Sequence, residues 1–100
     1  MQNKTQLHKE ICNELNLIYE RKNNDYGDAF AKLRDEVPTA ILVRIFDKYS
    51  RLKNLLQGAE QKVNDESIDD SLRDLANYAI LELIERKLEK KGGRDEQIQK

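Results

Sequence analysis

One proline and four glycines are all that interrupt a chain of 100 residues. Between them apolar side chains recur every three or four positions, the period of an amphipathic helix and not the alternation of a strand. Leu7, Ile11, Leu15 and Ile18, with Cys12 and Tyr19 beside them, predict a first helix from about Thr5 to Arg21. The next segment, Lys22-Asn23-Asn24-Asp25-Tyr26-Gly27-Asp28, is rich in residues that favour turns and left-handed backbone, and it reads as a loop. Asp28 then caps a short helix, Ala29 to about Glu36, with Phe30 and Leu33 turned inward. Val37 precedes Pro38, a step that discourages continued helix. A third helix therefore opens at Pro38 or Thr39 and runs to about Gln57, ended by Gly58. Ala59 to Glu66 reads as polar linker. Ser67 with Asp70 resembles a capping box, from which a fourth helix extends to about Lys90. Gly92 and Gly93 stop it. The expectation is one all-α domain over residues 1–91, a small bundle of about four helices, and a frayed polar tail over 92–100.

Size and charge narrow what such a domain does. A chain this short buries only part of the surface that its unfolded form exposes, so its own core is marginal and pairing with further copies is expected. The net charge is −1 and the isoelectric point is near 5.9. That balance argues against a broad basic footprint for duplex nucleic acid, and it leaves room for one small anionic ligand. The single cysteine, Cys12, excludes an intramolecular disulfide and a cysteine-based zinc site, and it fits a reducing cytoplasm. The polar opening, MQNKTQLHKE, predicts no signal peptide, and no apolar run reaches the length of a membrane span.

The predicted helix faces carry the chemistry. On the third helix Ile41, Leu42, Ile45, Tyr49, Leu52 and Leu56 share one side and read as core. Arg44, Asp47 and Arg51 form a neighbouring stripe with Lys48 at its edge. Arginine's fork suits phosphate oxygens and lysine adds a point charge. A solvated face with intrahelical pairs, such as Asp47 with Arg51, is the plainer alternative. On the fourth helix Leu72, Leu75, Ala76, Ala79 and Leu83 read as the main core face. Asp70, Asp74 and Asn77 form a second stripe that continues as Leu81, Ile84 and Leu88. A stripe acidic in one half and apolar in the other needs a partner, within the chain or from another subunit. Its carboxylates could hold Mg²⁺ or pair with Arg44, Lys48 and Arg51. In the Asn-Asn-Asp-Tyr-Gly-Asp segment, Tyr26 either packs on the core or stacks on a base while its polar neighbours read edges and ribose. His8 reads as surface and Cys12 as a small core residue. There is no nucleophile–base arrangement, no glycine-rich phosphate loop and no His/Cys metal cluster.

Three segments in order resemble a known family: Lys22 to Asp28, then Arg44-Ile45-Phe46-Asp47-Lys48-Tyr49-Ser50-Arg51-Leu52, then Asp65 to Tyr78. They resemble the nucleotide modification associated domain 1 family, common in bacteriophages and similar to MazG-like all-α nucleotide pyrophosphohydrolases. The resemblance covers about Leu7 to Leu88. It implies a helical, oligomeric fold and a nucleotide ligand. MazG-like enzymes hold Mg²⁺ with an ExxE pair and a later ExxD pair. Here Asp74-Leu75-Ala76-Asn77 stands in the ExxD place, and Arg44 and Asp47 stand in the ExxE place. Each exchange lowers the negative charge available to the metal that would activate water.

The leading expectation is therefore a nucleotide-binding protein that sequesters or senses its ligand without turnover, a signalling nucleotide of host defence being one candidate. Lys22, Asn23, Asp25, Tyr26, Arg44, Lys48, Arg51 and Asn77 are its candidate binding residues. The alternative is a Mg²⁺-dependent pyrophosphohydrolase with Asp47, Asp70, Asp74 and Glu66 at the metal and Arg51 or Lys48 on the phosphates. A helical protein-interaction module is the third reading. The half-apolar stripe of the fourth helix favours a site between chains.

Overall fold

A computed structural model of the chain describes residues 3–57 and 65–92, with the backbone alone for 24, 25, 65 and 66. Residues 59–64 of the expected linker, the Gly58 stop and the polar tail from 93 onward lie outside the described residues, while the linker's last two residues, Asp65 and Glu66, are already helical. Among the described residues the fold is all-α, with no strand. Helix α1 spans Lys4–Lys22, and α2 spans Ala29–Glu36. Helix α3 spans Ala40–Gln57, and α4 spans Asp65–Lys91. Asn3 caps α1, its side-chain oxygen accepting from the Thr5 and Gln6 amides at 2.7 and 3.4 Å. Val37 leaves helical geometry one residue before Pro38, as the proline demands. None of these helices is long and apolar enough to cross a membrane.

Three local expectations are corrected. The segment before α2 is not a loop: Asn24–Asp28 forms a single π-helical turn, with helical dihedrals at Asn23 before it and Ala29 after it. Its wider closure is the bond from the Asp28 amide to the Asn23 carbonyl, 2.9 Å. Gly27 lies in a close-packed turn and not in left-handed backbone, since no described glycine has positive φ. A Cβ there would stand 2.4 Å from Asn23 Oδ1 and 3.2 Å from Tyr19 Cε1. Asp28 makes no side-chain cap, because the chain is already helical when it reaches that residue. Finally, α4 begins at Asp65, so Ser67 and Asp70 lie inside the helix and are not its capping box.

The larger correction concerns which faces turn inward. The buried apolar residues are Leu15, Tyr26, Phe30, Ala40 and Leu81. Phe30 and Leu33 pack inward as expected, and Ile18, Tyr19, Ile41, Tyr78 and Ile84 lean on the same cluster. Of the rows expected to be core, however, Leu42, Ile45, Tyr49 and Leu56 of α3 are exposed, as are Leu72 and Leu83 of α4. Ile11 and Cys12 on α1 are exposed too, with Cys12 Sγ 3.8 Å from His8 Nδ1. On the mixed stripe of α4 the rest of the chain covers the middle, while Asp70 and Leu88 at its ends are exposed. Asn77 is buried and donates to the Leu15 carbonyl at 3.3 Å, and Leu81 joins the core. The partner that the middle of the stripe needs is thus supplied by this same chain, at Asn77 and Leu81.

A polar anchor locks α2 onto α4. Arg34 forks onto Glu82, with Nε to Oε1 at 2.9 Å and the second terminal nitrogen to Oε2 at 3.1 Å. Its first terminal nitrogen reaches Glu89 at 2.6 Å. Arg86 adds a 2.9 Å contact to Glu82 from one turn along. The Arg34 and Glu82 side chains are only 12% and 11% exposed, so this pair is shielded from solvent. Hydrogen bonding from Arg34 holds the Glu82 carboxyl below its ordinary value of 4.5, against the opposing effect of burial and with help from Arg86. A folded pKa below the unfolded one gives stability that is complete above the ordinary value and declines as pH falls toward the depressed one. Denaturation midpoints are therefore expected to drop as pH falls below 4.5, and to drop less in an Arg34→Met variant.

Candidate functional site

The α3–α4 seam is polar where most helix pairs are apolar. Ser71, Asp74 and Tyr78 follow one another along α4 at spacings of three and four, which puts them on one face. Arg44, Lys48 and Arg51 do the same on α3, and the two rows meet. Arg44 sits over the Tyr78 ring, 5.8 Å from its centroid. Lys48 Nζ lies 3.3 Å from Asp74 Oδ2. Arg51 Nε donates to Ser71 Oγ at 3.0 Å, and that hydroxyl donates in turn to the Ser67 carbonyl. The order of these contacts makes the helices antiparallel.

The π-turn closes one side of the seam. Tyr26 is buried, and its hydroxyl donates to Asp74 Oδ1 at 2.8 Å. Its ring stands edge-on to Tyr78 at 5.2 Å, and Phe30 meets Tyr78 at 5.9 Å. Burial, then the hydrogen bond to Asp74 and that carboxylate's charge, push the Tyr26 phenol well above its usual range. It stays protonated and acts as the donor. Tyr26 is thus a wall and a strut for Asp74, and its ring face is not open for stacking on a base.

The predicted residues divide into those the fold gathers and those it does not. Tyr26, Arg44, Lys48, Arg51 and Asp74 come together. Asn77 is beside them but committed to the backbone of α1. Asn23 is half-buried at the π-turn, 3.4 Å from Asp28, and Lys22 is exposed at the end of α1. The side chains of Asp25 and Glu66 lie outside the described residues. Asp47 is exposed and 3.6 Å from Arg44, and Asp70 is exposed and paired with Arg73 at 3.0 Å. Among the described residues no three His, Cys, Asp or Glu side chains converge in a group that could hold a metal ion. Asp47, Asp70 and Asp74 each answer a different cation, so together they do not fit an octahedral Mg²⁺ set.

Tyr78 and Ser71 were missed in the sequence, although both lie within its most informative segment. Their three- and four-residue spacing about Asp74 was the available signal. Among the described residues the ion pair across the seam is Lys48 with Asp74, while Arg44 pairs with Asp47 on its own helix and Arg51 donates to the Ser71 hydroxyl. Arg44 Nε is buried and has no hydrogen-bond partner among the described residues. Such an N–H costs stability until an acceptor reaches it.

Residues 22–85 match the nucleotide modification associated domain 1 family, and the chain belongs to it. The matched stretch contains the π-turn and the seam just described. No curated protein and no solved structure matches the chain.

Proposed function

We propose that the chain binds a phosphate-bearing nucleotide at the α3–α4 seam and holds it without turnover. The observation that carries this reading is the cationic row Arg44, Lys48 and Arg51, with a buried Arg44 N–H lacking an acceptor. Two guanidinium forks and an ammonium, spaced over two helical turns, suit adjacent phosphate groups. The family's association with nucleotide modification supports a nucleotide as the phosphate carrier. Lys22 and Asn23 directly precede the π-turn whose Tyr26 closes the seam, and in this reading they meet the sugar or base. Asp74, Ser71 and Tyr26 position the row and do not touch the ligand.

The test is a melting series with nucleoside mono-, di- and triphosphates and cyclic nucleotides, each with Mg²⁺, followed by recovery of the ligand after denaturation. A nucleotide at a hundredfold excess over its Kd should stabilise by about 2.7 kcal/mol, a shift of roughly 10 °C or more for a domain this size. It should be recovered intact. Release of monophosphate and pyrophosphate, abolished by Asp74→Ala, would replace holding with hydrolysis. No shift with any member of the series would remove the nucleotide and leave a protein-interaction module.

A further inference from the structure

The seam offers its guanidiniums at two ends and a balanced pair between them. Arg44 and Arg51 are two helical turns apart on α3, about 10 Å along the axis. Their heads meet α4 at the same separation. The Arg44 guanidinium rests over the Tyr78 ring, and Arg51 Nε donates to Ser71 Oγ. Ser71 and Tyr78 are again two turns apart, about 10 Å along α4. Between the two ends Lys48 Nζ lies 3.3 Å from Asp74 Oδ2. The other oxygen of that carboxylate accepts from the Tyr26 hydroxyl at 2.8 Å. Both oxygens of Asp74 are thus engaged, and its charge is answered by Lys48. A phosphate set in the middle would draw Lys48 away and meet a carboxylate of its own sign.

We infer that the ligand is a nucleotide whose phosphates stand apart, one on each side of a sugar, and not one whose phosphates are joined in a single chain. This rests on the proposed binding of a nucleotide at the seam and narrows it. In a 5′-diphosphate or triphosphate, neighbouring phosphates share one bridging oxygen, so their charge forms one block. Laid along the row, that block covers Asp74. Set at one end, it uses one guanidinium and leaves the other idle. In a nucleoside 3′,5′-bisphosphate the sugar itself separates the two phosphates. One then reaches Arg44, whose buried Nε has no acceptor among the described residues, and the other reaches Arg51. Each end supplies a fork suited to phosphate oxygens. The uncharged sugar passes over the Lys48–Asp74 pair and leaves it intact.

Isothermal titration of the full chain tests the spacing. For each common base it compares the nucleoside 3′,5′-bisphosphate with the 5′-diphosphate, which carries the same number of phosphates, and with the 5′-monophosphate. The bisphosphate should bind about tenfold more tightly than the diphosphate, the factor expected for one further charge-assisted bond. The diphosphate should stay close to the monophosphate. A 5′-phosphorylated dinucleotide offers the same spacing, and its rank against the bisphosphate tells whether a free nucleotide or the end of a strand is the source. Asp74→Asn keeps an acceptor for Tyr26 and releases Lys48, with circular dichroism as the check on the fold. It should raise the affinity for the diphosphate about tenfold and so narrow the preference. A preference unchanged in that variant would show that the middle pair does not set it, and would overturn the inference. A diphosphate that binds the natural chain as tightly as the bisphosphate overturns the spacing and leaves nucleotide binding standing. Binding of none of these compounds removes the nucleotide itself, and the inference with it.

Discussion

Arg34→Met is expected to cost the fold about 3 kcal/mol in denaturant unfolding at fixed protein concentration. The substitution keeps the aliphatic stem and removes the fork. Glu82 is then left almost fully covered with only Arg86 beside it, at 2.9 Å, and Glu89 loses its 2.6 Å partner. Breaking a buried pair from one side costs more than the pair itself contributes, because the surviving charge stays desolvated. The companion variant makes this explicit. Arg34→Met combined with Glu82→Leu should recover most of the loss, since neither charge then remains. A loss under about 1 kcal/mol for Arg34→Met would mean that water reaches Glu82 and that the anchor is a surface pair.

The second large effect concerns the ligand. Arg44→Gln combined with Arg51→Gln is expected to weaken nucleotide binding about a hundredfold, roughly one factor of ten for each charge-assisted bond removed. Lys48 is kept so that Asp74 retains its cation. The helices should persist, because the Arg44 side chain is one-third exposed and its ion pair with Asp47 is long and partly open to solvent. Isothermal titration measures the affinity and circular dichroism the fold. Unchanged affinity would show that the row does not clamp phosphate. Loss of helix would make Arg51, held on Ser71, a structural residue in place of a binding one.

Much of this fold was legible from residue spacing. The ends of α1, α2 and α3 fall within two residues of expectation, because Pro38 and its neighbour Val37 act locally. The inward faces of α3 and α4 were not legible. Periodicity tells which apolar residues share a side, and it does not tell whether the chain or another molecule covers that side. The π-turn was missed for a different reason. Asn, Asp and Gly favour turns in isolation, but here Gly27 gives room to Asn23 and Tyr19, and packing overrides local preference. At the site, the facing of Lys48 and Asp74 was within reach of the two-stripe reading. The position of Tyr26 was not, since it depends on a tertiary contact 48 residues away in sequence.

The π-turn also sets a phase. Helices α1 and α2 are joined through the π-turn, and each must present its own contact to α4: Leu15 to Asn77 in the first, Arg34 to Glu82 in the second. A π-helical turn holds one more residue than the helical turn it replaces, and that residue rotates everything after it by about 100°. Deleting it would leave a good helix on which Arg34 points away from its carboxylates. The length of this segment is therefore under tighter constraint than most of its letters, and an insertion or deletion here would act like a slipped gear tooth, leaving both halves intact and out of mesh.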